Sequence, residues 1–220
     1  TEALAKYGTM SLAQVMEPAI RYAERGVVVD TTLAGSLRSN RRLIAEFGGG
    51  ALFLPNGEPP AIGATITQPA LARTLQAIAA RGRSAFYEGD IADAWTRELH
   101  DAGGIITLDD LKGYRPIWRE PIRSTYRGYT LLTMPPSSSG GVTITETMNI
   151  LEGYPALPPF GSTRWAHLLG SAYQRAFIDR NAKLADPAFA KVPMAQLIDK
   201  GYAATLRATA PHRGRRRSRR

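Results

Sequence analysis

The sequence predicts a mixed α/β fold with a helical majority, and three observations support this prediction. Apolar residues recur at helical spacing in most segments of the 220-residue chain, and glycine or proline separates these segments. Only a few short runs have the alternation or the β-branched content of strands. No internal repeat is visible along the sequence.

The first two predicted helices follow each other near the amino end. Ser11 begins a capping box, which predicts a helix that is kinked at Pro18 and ends at Gly26. One face of this helix is apolar, at positions 12, 15, 16, 19, 20 and 23. Asp30 is predicted to cap a second helix, which stops at the three glycines of residues 48–50.

A turn and two further helices are predicted next. The turn at residues 55–57 is expected to join two short extended segments, residues 52–54 and 64–67. Pro69 suits the first turn of a third helix, which ends at Gly82. A fourth helix is indicated by apolar residues at positions 91, 95 and 99.

The rest of the chain contains one predicted β-hairpin and several helices. Thr107 is expected to cap a short helical turn that ends near Tyr114. Residues 117–122 and 129–133 are predicted to be the strands of a hairpin around Arg127-Gly128. Apolar positions indicate three further helices, at 144, 148 and 151, at 165, 168, 169, 172 and 176, and at 197, 198 and 206.

Composition and charge limit the classes of function. The chain has no cysteine, which excludes disulfides and thiol chemistry, and no apolar run approaches the ~18 residues of a membrane-spanning helix. The net charge is +9, but residues 212–220 hold six of the 28 lysines and arginines. Without those six, 22 basic residues face 19 acidic ones, a net charge of +3. The basicity therefore belongs to a tail, for which we favour disorder or truncation over nucleic-acid binding.

The most informative motif is the loop at residues 134–141, Met-Pro-Pro-Ser-Ser-Ser-Gly-Gly. Its prolines end the preceding strand, and its glycines allow a backbone course that other residues resist. The serines at 137–139 have glycines only on their carboxyl side, so the loop lacks a nucleophile-elbow pattern. We predict that the serines cap the following helix; binding of an anion by the free N–H groups of that helix is the alternative.

Other polar residues show no catalytic arrangement. None of His100, His167 and His212 lies at metal-ligand spacing; we expect His167 to be a partly buried structural residue and His100 to interact with a helix end. Asp179 and Arg180 could form a buried ion pair. Four arginines near the hairpin are expected to form the solvated face of a sheet edge: Arg115, Arg119, Arg123 and Arg127.

Several motifs occur in order along the chain. They are Tyr-Gly-Thr-Met-Ser-Leu at 7–12, Glu-Pro-Ala-Ile at 17–20, Phe-Tyr-Glu-Gly at 86–89, Gly-Gly-Ile-Ile-Thr at 103–107, Tyr-Arg-Gly-Tyr at 126–129, the loop at 134–141, Asn-Ile-Leu-Glu-Gly-Tyr at 149–154, Asp-Arg at 179–180 and Leu-Ala-Asp-Pro at 184–187. Together they resemble the large-subunit portion of the gamma-glutamyltranspeptidase (glutathione hydrolase) family, from Leu4 to about Leu206. The chain departs from the family pattern where Ser137 replaces a third proline, and where Ser171 and Tyr173 replace acidic residues.

The resemblance implies a helix-rich fragment of the αββα amino-terminal-nucleophile hydrolase fold. In this family a precursor cleaves itself before a threonine, which then opens the small subunit and attacks the γ-glutamyl amide. That threonine begins Thr-Thr-His, whereas the only Thr-Thr pair here, Thr31-Thr32, precedes Leu33. The arginine that binds the substrate carboxylate in the family lies upstream of the segment matched at Leu4. We therefore assign no catalytic, binding or metal-binding residue.

The resemblance also implies the partners and the location of the protein. The implied partners are the small-subunit half of the family and a γ-glutamyl small-molecule substrate, and no cofactor is implied. The family is expected in the periplasm or outside the cell. Because the chain begins with Thr1 within a helix-like segment, we expect sequence to be missing before it.

The predicted organisation is a partial large-subunit domain at residues 1–210 and a basic tail at 211–220. The expected function is that of an incomplete γ-glutamyltransferase or glutathione hydrolase, inactive as an isolated chain. One alternative is an acylase of the same superfamily that deacylates cephalosporin-type amides. The other is a non-enzymatic protein that binds polyanions through its arginine-rich tail, which predicts salt-sensitive retention that deletion of residues 212–220 abolishes.

Overall fold

A computed structural model describes residues 1–209, so the predicted tail at 211–220 lies outside the described residues. The chain divides into two compact units, Thr1–Pro116 and Ile117–Arg220. The first unit contains, in order, α1 (Glu2–Tyr7), α2 (Leu12–Arg25), β1 (Val27–Val28), α3 (Thr31–Ser39), α4 (Arg41–Glu46), α5 (Gly50–Phe53), a 3-10 turn (Pro55–Gly57), β2 (Thr65–Ile66), α6 (Pro69–Arg81), α7 (Ser84–Tyr87), α8 (Asp90–Asp101) and α9 (Leu108–Gly113).

Helix α2 has the predicted ends. The Ser11 hydroxyl accepts a hydrogen bond from the Gln14 N–H at 3.2 Å, and the Gln14 side chain accepts one from the Ser11 N–H at 2.8 Å. This reciprocal cap satisfies two N–H groups that have no partner inside the helix. The helix continues through Pro18 and ends at Gly26, where φ is 90°. It packs against α6.

A small core forms where the two short strands meet α3. Strands β1 and β2 are antiparallel, with Val27 opposite Ile66. Val29, which follows β1, is fully buried and packs with Ala34, Leu37 and Ile66. Because these side chains come from both strands and α3, their burial fixes the start of α3 beside the ladder.

Two predictions for the first unit are wrong. The second predicted helix is interrupted at Asn40, whose side-chain amide donates to the Ser36 carbonyl at 2.9 Å and competes with the helical hydrogen bonds. Residues 52–54 were expected to be extended, but Gly50–Phe53 form the helical turn α5. The N–H of Leu54 donates to the Gly50 carbonyl at 2.8 Å, so these backbone groups are satisfied locally without a neighbouring strand.

The predicted cap at Asp30 is confirmed and gives a testable expectation. Its carboxylate accepts a hydrogen bond from the Leu33 N–H at 2.7 Å. We expect Asp30→Ala to lower the free energy of unfolding by about 1 kcal/mol, because that N–H loses its acceptor. Asp30→Ser restores a capping oxygen and should recover most of the loss. Urea denaturation of the three proteins measures the effect, and equal losses for both variants would contradict the capping role.

The second unit is built around a hairpin and a central helix. Its elements are β3 (Ile122–Tyr126), β4 (Tyr129–Thr133), α10 (Gly140–Glu152), α11 (Thr163–Lys183), α12 (Met194–Leu197) and α13 (Lys200–Ala208). Helix α10 packs against both strands and against α11, α12 and α13. The apolar core of this unit consists of Ile122, Val142, Ile150, Leu151, Ala172, Leu197 and Ala203.

The hairpin turn lies where it was predicted, but its first strand does not. Strands β3 and β4 are antiparallel, with Tyr126 opposite Tyr129, so the loop consists of Arg127 and Gly128. Both loop residues have positive φ, at 48° and 87°, as a type I′ turn requires. The first strand was predicted at residues 117–122 and instead begins at Ile122. Pro121 has no N–H to donate to a ladder, which is consistent with pairing that starts only after it.

Candidate functional site

The loop at residues 134–141 is held by a different contact from the one predicted. Ser139 is the residue before α10, but its hydroxyl does not cap the helix; it accepts a hydrogen bond from Arg180 Nε at 3.0 Å. The prediction that the serines cap α10 is therefore wrong for Ser139. The serine hydroxyl instead joins the loop to Arg180, which lies near the end of α11.

The glycine at the start of α10 has a clear packing role. A Cβ placed on Gly141 would lie 2.0 Å from the carbonyl oxygen of Met134 and 2.8 Å from its nitrogen. Gly141 is buried, and the Thr133 hydroxyl donates to its carbonyl at 3.4 Å. Glycine is needed here because the backbone at the end of β4 closely approaches the first turn of α10.

An open cavity of about 300 Å³ lies beside this loop. It is lined by Ser137 and Ser139 from the loop, by Arg180 and Asn181 from α11, and by Leu184, Ala185 and Asp186 after α11. The lining thus includes a guanidinium, a carboxylate, hydroxyls and an apolar portion. The cavity therefore brings together three of the sequence motifs: the loop at residues 134–141 (the Pro-Ser-Gly loop), Asp-Arg at 179–180 and Leu-Ala-Asp-Pro at 184–187.

A second polar cluster is buried beneath α10. Glu146 is 1% exposed and Asp179 is 6% exposed. One oxygen of Asp179 contacts Lys183 Nζ at 2.8 Å, and the other accepts a hydrogen bond from the Tyr202 hydroxyl at 2.5 Å. Lys183 also donates to the Tyr202 oxygen at 2.8 Å. These contacts join α11 and α13 next to Glu146 of α10.

The two carboxyl groups of this cluster have opposite pKa shifts. Burial, together with the nearby charge of Asp179, raises the pKa of Glu146 to about 8. Burial acts in the same direction on Asp179, but hydrogen bonds from Lys183 and Tyr202 prevail and lower its pKa. At neutral pH Glu146 is therefore mainly protonated and donates to the ionised Asp179. One Glu146 oxygen, Oε1, has no hydrogen-bond partner among the described residues.

The predicted ion pair between Asp179 and Arg180 does not form. Adjacent residues of a helix project in different directions, whereas residues four apart lie on one face. Asp179 accordingly pairs with Lys183, and Arg180 turns toward Ser139. The guanidinium also lies over the ring of Phe177, with 5.6 Å from Cζ to the ring centroid.

Other candidate residues are separate from the cavity. His100 lies in the last turn of α8, as expected, whereas His167 is exposed rather than partly buried, because α11 turns it outward; His212 lies outside the described residues. No group of three metal-ligating side chains occurs among residues 1–209. Thr31 and Thr32 are exposed in the first turn of α3.

The four arginines near the hairpin do not form one solvated face. Arg119 contacts Asp186 at 3.6 Å, and Arg115 donates to the Lys112 carbonyl at 2.6 Å. The N–H of Arg127 donates to Glu152 at 2.6 Å. Only Arg123 lies exposed within strand β3, as predicted. The grouping failed because just one of the four residues belongs to a strand.

Sequence reasoning missed the burial of Glu146 and the contacts of the half-buried residues Lys183 and Tyr202 with Asp179. The apolar residues that predicted α10 include Ile144, which is 44% exposed, and the pattern did not indicate that Glu146 is buried. A usable signal was present, since Asp179 and Lys183 have the spacing of a helical ion pair.

No helix in the described part of the chain is long and apolar enough to cross a membrane.

The family model for gamma-glutamyltranspeptidase matches residues 1–218. Among curated relatives, the acylase ACY 1 proenzyme of Pseudomonas sp. (strain SE83) is 47% identical over 209 residues, covering 94% of this chain and 38% of the relative. The glutathione hydrolase proenzyme of Escherichia coli (strain K12) is 40% identical, covering 93% and 36%. The chain thus spans less than two fifths of the length of these relatives.

Solved structures agree with these matches. The crystal structure of Helicobacter pylori gamma-glutamyltranspeptidase superposes with a TM-score of 0.91 at 32% identity, covering 97% of this chain and 62% of that one. Cephalosporin acylase from Bacillus halodurans gives 0.87 at 31% identity, covering 94% and 40%. The predicted fold is confirmed: the chain is a helix-rich part of the amino-terminal-nucleophile hydrolase fold. The chain belongs to the gamma-glutamyltranspeptidase family.

Proposed function

We propose that this chain provides scaffold for a γ-glutamyltransferase or glutathione hydrolase whose nucleophile is supplied by polypeptide outside these 220 residues. The complete enzyme transfers a γ-glutamyl group from glutathione or another γ-glutamyl amide to water or an amino acid. The isolated chain is inactive. The observation that carries this proposal is the coverage: 92% of the chain matches the glutathione hydrolase proenzyme of Pseudomonas sp. (strain A14), but only 36% of that relative is matched.

Features of the chain support a scaffold role. No Thr-Thr-His occurs in the sequence, and Thr31-Thr32 serve as the first turn of α3. Strand β4 is paired only with β3 among the described residues. Leu132 in this strand is 60% exposed, and Met134 just after it is 67% exposed. Exposed apolar side chains beside an unpaired strand edge favour coverage by further polypeptide.

The proposed chemistry requires one amino-terminal threonine. Its α-amino group takes the proton from its own hydroxyl, and the hydroxyl oxygen attacks the γ-amide carbonyl. The carbon–nitrogen bond breaks, the leaving amine takes up the proton, and an ester-linked γ-glutamyl enzyme remains. Water or an amino acid then attacks this ester and restores the threonine. Backbone N–H groups stabilise the oxyanion in each step. The residues of the present chain hold the surrounding architecture and carry none of these steps.

Reconstitution tests the proposal. Purified small subunit of a glutathione hydrolase relative should give no turnover of a chromogenic γ-glutamyl anilide alone, and turnover should appear after co-refolding with this chain and a fragment of that relative that carries the segment upstream of the match at Leu4. A preparation of small subunit whose amino-terminal threonine is changed to alanine is the matched control and should stay inactive. Turnover by the present chain without any partner would overturn the proposal.

A cephalosporin-type acylase is the second candidate. It is favoured by the 47% identity to the acylase ACY 1 proenzyme, against 41% to the glutathione hydrolase proenzyme of Pseudomonas sp. (strain A14). A second complex, reconstituted in the same way, can be given a cephalosporin with an amide-linked acyl side chain. Faster release of this acyl group than of γ-glutamate, with small subunit from an acylase relative, would favour the second candidate.

A further inference from the structure

The cavity beside the Pro-Ser-Gly loop has one strongly oriented cation. Arg180 donates from Nε to the Ser139 hydroxyl at 3.0 Å and from Nη1 to the Asn181 side-chain oxygen at 2.7 Å. The guanidinium also lies over the ring of Phe177. These three contacts restrict the rotamer of Arg180, so its remaining N–H donors are held in place at the cavity wall.

Among the described lining residues, the one acidic side chain is paired with groups outside the cavity. Asp186 contacts Arg119 Nη2 at 3.6 Å, and its Oδ1 also accepts a hydrogen bond from the Ala188 N–H at 3.0 Å. With Asp186 paired to Arg119, the lining retains the single positive charge of Arg180. A singly charged anion can balance this charge, whereas a doubly charged phosphate would bring a second negative charge for which the described lining residues supply no further cation.

The remaining lining distinguishes an organic acid from an inorganic ion. Leu184 and Ala185 offer apolar surface, while Ser137 adds a hydroxyl that can donate to an anion. A planar carboxylate matches the guanidinium fork, and its carbon chain can contact the apolar side. We propose that this cavity binds a small organic monocarboxylate, with Arg180 as its counterion and Leu184 and Ala185 against its carbon chain. This inference does not depend on the proposed acyl-transfer function.

Binding of propionate to the full chain tests the proposal. Titration followed by heteronuclear NMR should show saturable shifts around residues 137–141 and 180–186, with Kd of about 10 mM, as one partly exposed ion pair and contact of a two-carbon chain allow. Inorganic phosphate should bind at least tenfold more weakly in the same buffer. Equal affinity for phosphate, or no saturable shift at this cavity, would overturn the proposal.

Matched variants separate this cavity from general attraction to a basic chain. Arg180→Gln should weaken propionate binding at least tenfold, whereas Arg164→Gln, an exposed arginine in the first turn of α11, should leave it unchanged. Both variants keep the basic tail, so its contribution cancels. Ala185→Leu fills the apolar side and should also abolish binding while leaving Arg180 in place. Since Ala185 is exposed, this variant should fold even if loss of the Ser139 contact disturbs Arg180→Gln. Undiminished binding by Ala185→Leu would rule out this cavity as the site.

Discussion

Replacement of Gly141 by alanine is expected to lower the free energy of unfolding by about 3 kcal/mol or more. The added methyl carbon would stand 2.0 Å from the Met134 carbonyl oxygen, and both partners are backbone-fixed. No side-chain rotamer can relieve this overlap, so the end of β4 must move away from the first turn of α10. That movement also disturbs the buried contacts of Val142, which packs with Ile122 and Leu197.

Gly170→Ala is the matched control for this prediction. Gly170 lies within α11, and a Cβ added there meets no atom within 4 Å. The same substitution should therefore stabilise the protein by about 0.5–1 kcal/mol, because alanine has the higher helix propensity. Urea denaturation and thermal unfolding measure both variants. If Gly141→Ala were as stable as Gly170→Ala, the close approach of Met134 would have to be abandoned.

The features that could be predicted from the sequence are those decided within a few residues. The caps at Ser11, Asp30 and Thr107 were found because a side-chain oxygen reaches an N–H only two or three residues away. The hairpin turn at Arg127-Gly128 was also predicted, because a turn is determined by adjacent residues and glycine readily adopts the positive φ that it requires.

The features that escaped prediction depend on distant partners. The hydroxyl of Ser139 could cap α10, but Arg180, 41 residues away, takes it instead. The burial of Glu146 likewise escaped prediction, because Asp179, which interacts with it, belongs to another helix. The site at the cavity required three segments to meet, which no single motif indicates. The family resemblance predicted the fold, whereas these contacts are visible only in the structure.

The second large effect concerns the buried carboxyl of Glu146. Its pKa in the folded protein is about 8, raised from an ordinary value of 4.5 by burial and by Asp179. The folded state therefore holds a proton that the unfolded chain releases above pH ~4.5. The stabilisation from this proton is complete below that pH and is lost progressively as the pH rises toward 8. The slope reaches about 1.4 kcal/mol per pH unit and flattens near each pKa, so the loss between pH 5 and pH 8 is about 3 to 4 kcal/mol.

Glu146→Gln should remove this pH dependence. The amide of glutamine has the shape of a protonated glutamate and can donate to Asp179, which stays ionised through Lys183 and Tyr202. We expect the variant to be similar to the wild type at pH 5 and more stable by about 3 kcal/mol at pH 8. The ionised carboxylate of Asp179 also stabilises the fold, and this stabilisation is lost only as the pH falls through its lowered pKa. Both proteins have this contribution, so it does not affect the difference between them.

Urea denaturation at pH 5, 6, 7 and 8 measures the difference between the two proteins directly. The exposed residue Glu120 provides the control, since Glu120→Gln should follow the wild-type curve at every pH. Because the prediction concerns the change in the difference with pH, a constant offset from imperfect packing of glutamine does not affect it. Parallel curves for Glu146→Gln and wild type would mean that Glu146 is already ionised in the folded protein at pH 5. The uncompensated charge would then have to be balanced by a group other than Lys183, which already pairs with Asp179.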